Sequence, residues 1–180
     1  MKKAITLILI FLVKILYSQE GLQDQFKLEY NFLGVGASYE FPISEKKLLD
    51  FGFGVGGGVD ETESYVWDFE SSIAIYVKGE IRQYYNLSKR EEKGKRTLNN
   101  SGNYFGLQVK YFSQRISEGS EFPVPLNNSI LTQLHWGLQR SLGGNWLFNL
   151  HLGFGVLRNL DNKNGLLSPA LGLKFSYKLF

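Results

Sequence analysis

The sequence has no cysteine among its 180 residues, so neither a disulfide framework nor a lipid-modified cysteine is available to it. It also lacks a second long apolar run. After Ser18 no stretch is long and apolar enough for a transmembrane helix. The third absence is net charge beyond the first residues. The full chain carries 20 Lys+Arg against 17 Asp+Glu, but Lys2, Lys3 and Lys14 fall before residue 19 with no acid among them, and the remainder balances. The basic pI therefore belongs to the start of the chain, and no clustered basic patch argues for a nucleic-acid partner. A G-x-S-x-G nucleophile elbow is missing as well.

What is present begins with MKKAITLILIFLVKILYS, a basic start followed by an apolar run and a small residue at Ser18. This predicts a secretory signal peptide over residues 1–18, with one domain over residues 19–180. A signal anchor is the competing reading. Lys14 interrupts the run and leaves it short for a bilayer.

From Leu22 onward the apolar period is two, punctuated by Gly, Asn and charged clusters. Eight strands are predicted, near residues 22–31, 33–41, 47–59, 71–85, 103–114, 130–141, 145–157 and 168–180. The joint at Phe32 is either a tight turn or a bulge in one long strand. Each strand has a face of large apolar residues, as in Leu171, Leu173, Phe175, Tyr177 and Leu179. The opposite face holds most of the strand glycines and scattered Lys, Glu, Arg, Gln and His.

Two closed architectures fit this pattern: a soluble carrier barrel with the apolar face inside, and a membrane barrel with that face outside. Volume separates them. An eight-stranded barrel has an interior just wide enough to be filled by side chains, and the large apolar face is too bulky for it. The expected fold is all-β, an antiparallel transmembrane β-barrel of eight strands after a cleaved signal peptide. Leu142, Gly143 and Gly144 would then form a three-residue hairpin loop, placing Ser141 opposite Asn145 and His135 opposite His151.

Two stretches carry a resemblance. The final strand, SPALGLKFSYKLF, ends on an aromatic and resembles the terminal signal of bacterial outer-membrane β-barrel proteins, with Tyr177 and Phe180 as its aromatic residues. Phe180 departs from that pattern, being out of phase with Tyr177 and Leu179, so the end either carries a bulge or leaves the ladder. The segment YYNLSKREEKGKRTLNNSGNYFGLQVKYF, flanked by EFPISEKKLLDFGFGVGGG, is similar to uncharacterised small bacterial outer-membrane β-barrel proteins. The resemblance covers most of the mature chain. It implies an outer-membrane location, contact with outer-membrane lipid and insertion by the barrel-assembly machinery. It brings no activity or catalytic residue with it.

Candidate sites follow from the face assignment. Glu29, Glu40, Asp50, Lys78, Glu80, Arg82, Lys110, His135, His151 and Lys174 share the inward parity. Such charges either pair into a network that fills the lumen or line a small pore or polar-ligand site. The two histidines would form a satisfied polar pair, or hold a metal if further ligands joined them. A lipid-modifying barrel enzyme needs a nucleophile and base on the outward side or at a rim, whereas both histidines point inward. The loop DETESYVWDFE carries Asp60, Glu61, Glu63, Asp68 and Glu70 and is expected outside the cell, solvated, cation-binding or facing a partner. The basic stretch KREEKGKR, on the periplasmic side, is expected as a solvated turn, the other reading being contact with peptidoglycan or a periplasmic protein. The functional expectation is a structural or surface-interaction barrel with a filled lumen, with no catalysis, cofactor or metal; the sequence identifies no surface or periplasmic partner.

Overall fold

The computed structural model describes residues 21–31, 34–60, 64–66, 73–116 and 126–180. The leader, Glu61, Glu63, Trp67, Asp68 and Glu70 lie outside the described residues. Among the described residues ten strands and one short helix form: β1 (Gln25–Asn31), β2 (Gly34–Ser44), β3 (Lys47–Gly56), β4 (Gly58–Val59), β5 (Tyr65–Val66) and β6 (Ala74–Tyr84), then α1 (Leu87–Glu92), β7 (Asn103–Arg115), β8 (Ser129–Gly143), β9 (Trp146–Asn159) and β10 (Gly165–Lys178). Eight of them close an antiparallel barrel in the order β1-β10-β9-β8-β7-β6-β3-β2. Every neighbour is adjacent in sequence except across β3-β6 and the closing β1-β10 seam, as an up-and-down barrel requires.

β1 and β2 are separate strands, since Asn31 pairs with Gly34 and the chain reverses between them. The third predicted strand is shorter than the alternation suggested. β3 stops at Gly56, and Gly58–Val59 turns into a small sheet with Tyr65–Val66. The reason is burial: Val59 packs with Tyr76, Phe112, Leu131 and Leu157, and this cluster caps one end of the lumen. That end, which also carries the β9-β10 turn, is called the loop end below. The other end holds the start of β1 and the carboxyl-terminal Phe180 and is called the terminal end.

The β8-β9 connection also differs from expectation. It is a two-residue turn at Gly144 and Asn145 with a bulge between Ser141 and Gly143. Gly143 and Gly144 both take positive φ, which glycine alone adopts without strain. Ser141 therefore faces Leu147, His135 faces Gly153, and Gly137 faces His151. A slip of two residues keeps every side chain on its face, so both histidines stay inward and are diagonal neighbours rather than direct partners. At the carboxyl terminus β10 ends at Lys178 in regular register. Beyond it Phe26 faces two residues, accepting from the Leu179 N–H at 2.8 Å and donating to the Phe180 carbonyl at 3.0 Å, the two-against-one pattern of a bulge, and the Phe180 ring stacks on Phe26 with ring centroids 5.6 Å apart.

Burial alternates along every barrel strand, and its sense is inverted relative to a water-soluble core. Leu28, Phe53, Val77, Phe105, Leu134 and Phe154 are exposed, while the residues between them are buried. The buried set includes Lys27, Glu40, Asp50, Arg82 and Gln139, each 1% exposed or less.

Candidate functional site: a sealed charged lumen

Strand register builds the site. Glu40 on β2 lies opposite Asp50 on β3, and Asp50 lies opposite Glu80 on β6, so three carboxylates stand side by side on adjoining strands. Like charges in such a row repel. Arg82, one inward position further along β6, relieves this by reaching all three. Its Nη1 donates to Glu40 at 2.7 Å, Nη2 to Asp50 at 2.6 Å, and Nε to Glu80 at 2.7 Å. A planar guanidinium suits this, presenting its donors in a fixed fork, and its face lies over Tyr104 at 4.8 Å.

The ammonium groups form the next level. Lys78 donates to Glu29 at 2.6 Å and to Asp50 at 3.4 Å. Lys27 donates to Glu40 at 2.5 Å and lies 3.5 Å from Glu29. Neutral amides complete the shell: Gln25 and Asn100 also donate to Glu40, and Gln108 donates to Glu80 at 3.2 Å. His135 Nε2 is 3.0 Å from Glu80, and the His135 and His151 rings lie 4.5 Å apart. Nδ1 of each histidine has no hydrogen-bond partner among the described residues. No cluster of metal-ligating side chains occurs among the described residues.

Charged groups sealed from water must be paired, because their desolvation cost is otherwise unmatched. The sealing is visible at both ends. Above the charged layers sits the Val59 cluster, with Tyr65 hydrogen-bonded to Ser168 at 3.0 Å. Below them Leu48, Tyr84, Leu87 and Tyr104 form a second apolar cluster. The β6-β7 connection contributes to that lower seal through Leu87, which precedes its solvated basic stretch at residues 89–96. Lys89, Arg90 and the other charged residues of α1 remain exposed or half-buried, but Asn99, Asn100 and Ser101 are buried in the barrel mouth. Asn99 and Asn100 take φ of 56° and 57°, and asparagine tolerates that conformation better than most residues. The turn lets Asn100 reach Glu40 at 2.7 Å and the Gln23 carbonyl at 2.8 Å.

All ten inward residues singled out from the sequence are buried. Seven of them, Glu29, Glu40, Asp50, Lys78, Glu80, Arg82 and His135, are joined by the hydrogen bonds above. Lys110, Lys174 and His151 stand apart from these bonds and line a cavity of about 250 Å³ towards the loop end. Lys27 shares the parity of Glu29 and belongs to the network, although sequence reasoning passed over it. Asp60 accepts from the Ser64 N–H at 2.9 Å through its carboxylate and donates its own N–H to the Ser64 carbonyl at 3.0 Å. Tyr177 sits on the outward face, edge-on to Trp146 at 5.1 Å. Comparison of the chain with protein families, curated proteins and solved structures found no match.

Inward glycines provide the room for these large side chains. A methyl group on Gly54 would lie 2.5 Å from the Tyr76 hydroxyl, and one on Gly172 would lie 2.0 Å from the His151 ring. The small face recognised in the sequence is thus matched to large inward residues on neighbouring strands.

Proposed function

We propose that this protein is an integral outer-membrane β-barrel with a filled, non-conducting lumen, serving a structural or surface-interaction role rather than a catalytic one. The observation that carries the reading is the inversion of polarity. Leu171 is 75% exposed and Phe53 62%, whereas Arg82, Glu40 and Asp50 are fully buried. Water would penalise that outer face, while hydrocarbon favours it and forces polar groups inward. A closed barrel meets the further demand that spanning backbone satisfy its own hydrogen bonds. Aromatic residues near the terminal end, Tyr85, Phe105, Trp146 and Tyr177, suit an interfacial girdle. The leader and the terminal aromatic resemblance support export and assembly by the same route.

Reconstitution tests both halves of this reading. In lipid vesicles the mature chain should float with the lipid and resist carbonate extraction, and in planar bilayers it should give no steady conductance. Extraction by carbonate would contradict insertion. Large stable single-channel currents would instead contradict the filled lumen and favour a pore.

A further inference from the structure

The closing seam of the barrel is incomplete. β1 pairs with β10 from Lys27↔Lys178 to Asn31↔Lys174, with Phe26 bonded to Leu179 and Phe180 beyond the terminal end of this register. β10 continues to Gly165, and among the described residues nothing pairs with its Gly165–Leu173 stretch on the β1 side, although β9 pairs with it throughout the other side. Pro169 lies within this free stretch. Proline has no N–H to donate, and within sheets it is confined largely to such edges.

The cavity of about 250 Å³ opens at this place. Its lining runs from inward residues, Lys110, His151 and Lys174, past Asn31 to Leu171 and Leu173 on the outward face. Leu171 is among the most exposed side chains of the barrel. The Val59 and Tyr65 cap covers the loop end, so the described wall leaves a side opening. An edge strand bared to hydrocarbon is costly, but backbone that borders a polar cavity is tolerated.

The charge buried inside the barrel is unbalanced among the described residues. The buried barrel cations are Lys27, Lys78, Arg82, Lys110 and Lys174, against the carboxylates Glu29, Glu40, Asp50 and Glu80, leaving one positive charge in excess. The excess falls at the cavity. Lys174 Nζ is buried without a hydrogen-bond partner among the described residues, and the nearest carboxylate oxygen, on Asp50, is 4.0 Å away. Lys110 Nζ lies over two ring faces, Tyr76 at 4.0 Å and Phe112 at 4.7 Å, and has no hydrogen bond among the described residues. Register places Lys110 directly opposite Lys78, whose own bonds go to Glu29 and Asp50.

From this opening, the free β10 edge and the two unsatisfied ammonium groups we infer that the barrel binds one anionic amphiphile from the bilayer. Its carboxylate or phosphate head sits between Lys110 and Lys174, and its acyl chain leaves through the seam over Leu171 and Leu173. The head accepts hydrogen bonds from both ammonium groups and neutralises the excess charge. The cavity is smaller than the roughly 300 Å³ and more typical of pockets that enclose a whole drug-sized ligand, so it suits a head and its first methylenes while the tail stays in lipid. The inference rests on the membrane reading above.

Native mass spectrometry of the folded barrel, released from a neutral maltoside, tests it with four probes: dodecanoate, dodecyl phosphate, dodecanol and inorganic phosphate. One equivalent of either charged amphiphile should bind at least about tenfold more tightly than dodecanol, the value of a charge-assisted hydrogen bond. Preference between carboxylate and phosphate then distinguishes a fatty acid from a phospholipid-type head. K110M and K174M should each weaken binding by about tenfold, with heat-modifiable migration certifying the fold. Dodecanol binding as well as dodecanoate, inorganic phosphate binding as well as dodecyl phosphate, or folded variants binding like the parent would each overturn the inference. Should the variants not fold, a diazirine-bearing dodecanoate on the parent protein decides. Labelling concentrated on β10 near Leu171–Lys174 supports the site, and labelling spread evenly over the outward strands overturns it. A barrel that stays soluble without detergent would instead defeat the membrane reading itself.

Discussion

Replacing Arg82 by alanine should destabilise the barrel by about 3–5 kcal/mol, the cost of removing one partner from a buried ionic network. The magnitude follows from what is left behind. Glu40, Asp50 and Glu80 stand in register on three adjoining strands, and Arg82 donates to all of them from a position closed to solvent. Without it Glu80 keeps only Gln108 and His135, and the carboxylate row loses its shared counter-charge. R82K should restore only part of the loss, because an ammonium is a point donor and cannot span three carboxylates as a fork does. Urea unfolding in detergent or vesicles, followed by tryptophan fluorescence, reads the difference. A change within about 0.5 kcal/mol, ordinary for a surface substitution, would show that the network does not hold the lumen together.

The second large effect has opposite meanings in water and in lipid. Phe53 is exposed in the middle of β3, flanked in register by Ala37 and Val77. On a soluble protein F53R would be neutral or would improve solubility. On a membrane barrel an arginine near the bilayer midplane costs about 2–4 kcal/mol. The same substitution at Tyr177, close to the terminal end, should cost about 0–1 kcal/mol, because the penalty falls towards the interface. Measuring both in vesicles gives a depth profile. Equal small effects at the two positions would contradict a lipid-facing β3.

Parity is a local property, and it made the inner and outer faces legible from residues alone. Glu80 and Arg82 alternate with Ile81, and that spacing suffices to place them inside an eight-stranded barrel. The contacts between strands are different, because they depend on turns. The two-residue turn at Gly144 and Asn145 and the bulge beside Leu142 together move His135 from opposite His151 to opposite Gly153, and nothing in the alternation of β8 or β9 encodes them. Gly58 and Val59 continue the period of β3, yet they leave it because an apolar cap at the loop end buries Val59 more completely than the strand would. Asn99 and Asn100 fall between predicted strands where the period of two is silent, although two adjacent asparagines are a signal for left-handed backbone in a tight reversal. The seam opening is the least legible feature. It arises from the mismatch between seven-residue β1 and fourteen-residue β10, strands at opposite ends of the sequence. The terminal aromatic is similar: periodicity leaves Phe180 out of phase, and its stacking on Phe26 depends on closure.

The claim that most needs testing is that the large apolar face meets lipid and the charged face does not meet water. Fractionation of cells expressing the full chain, followed by electrophoresis of unheated and heated samples in detergent, addresses it directly. The account predicts that the protein sediments with the outer membrane and that the unheated band migrates away from the heated one, as a folded barrel that resists the detergent does. Recovery in the soluble periplasmic fraction, with the same migration before and after heating, would contradict it.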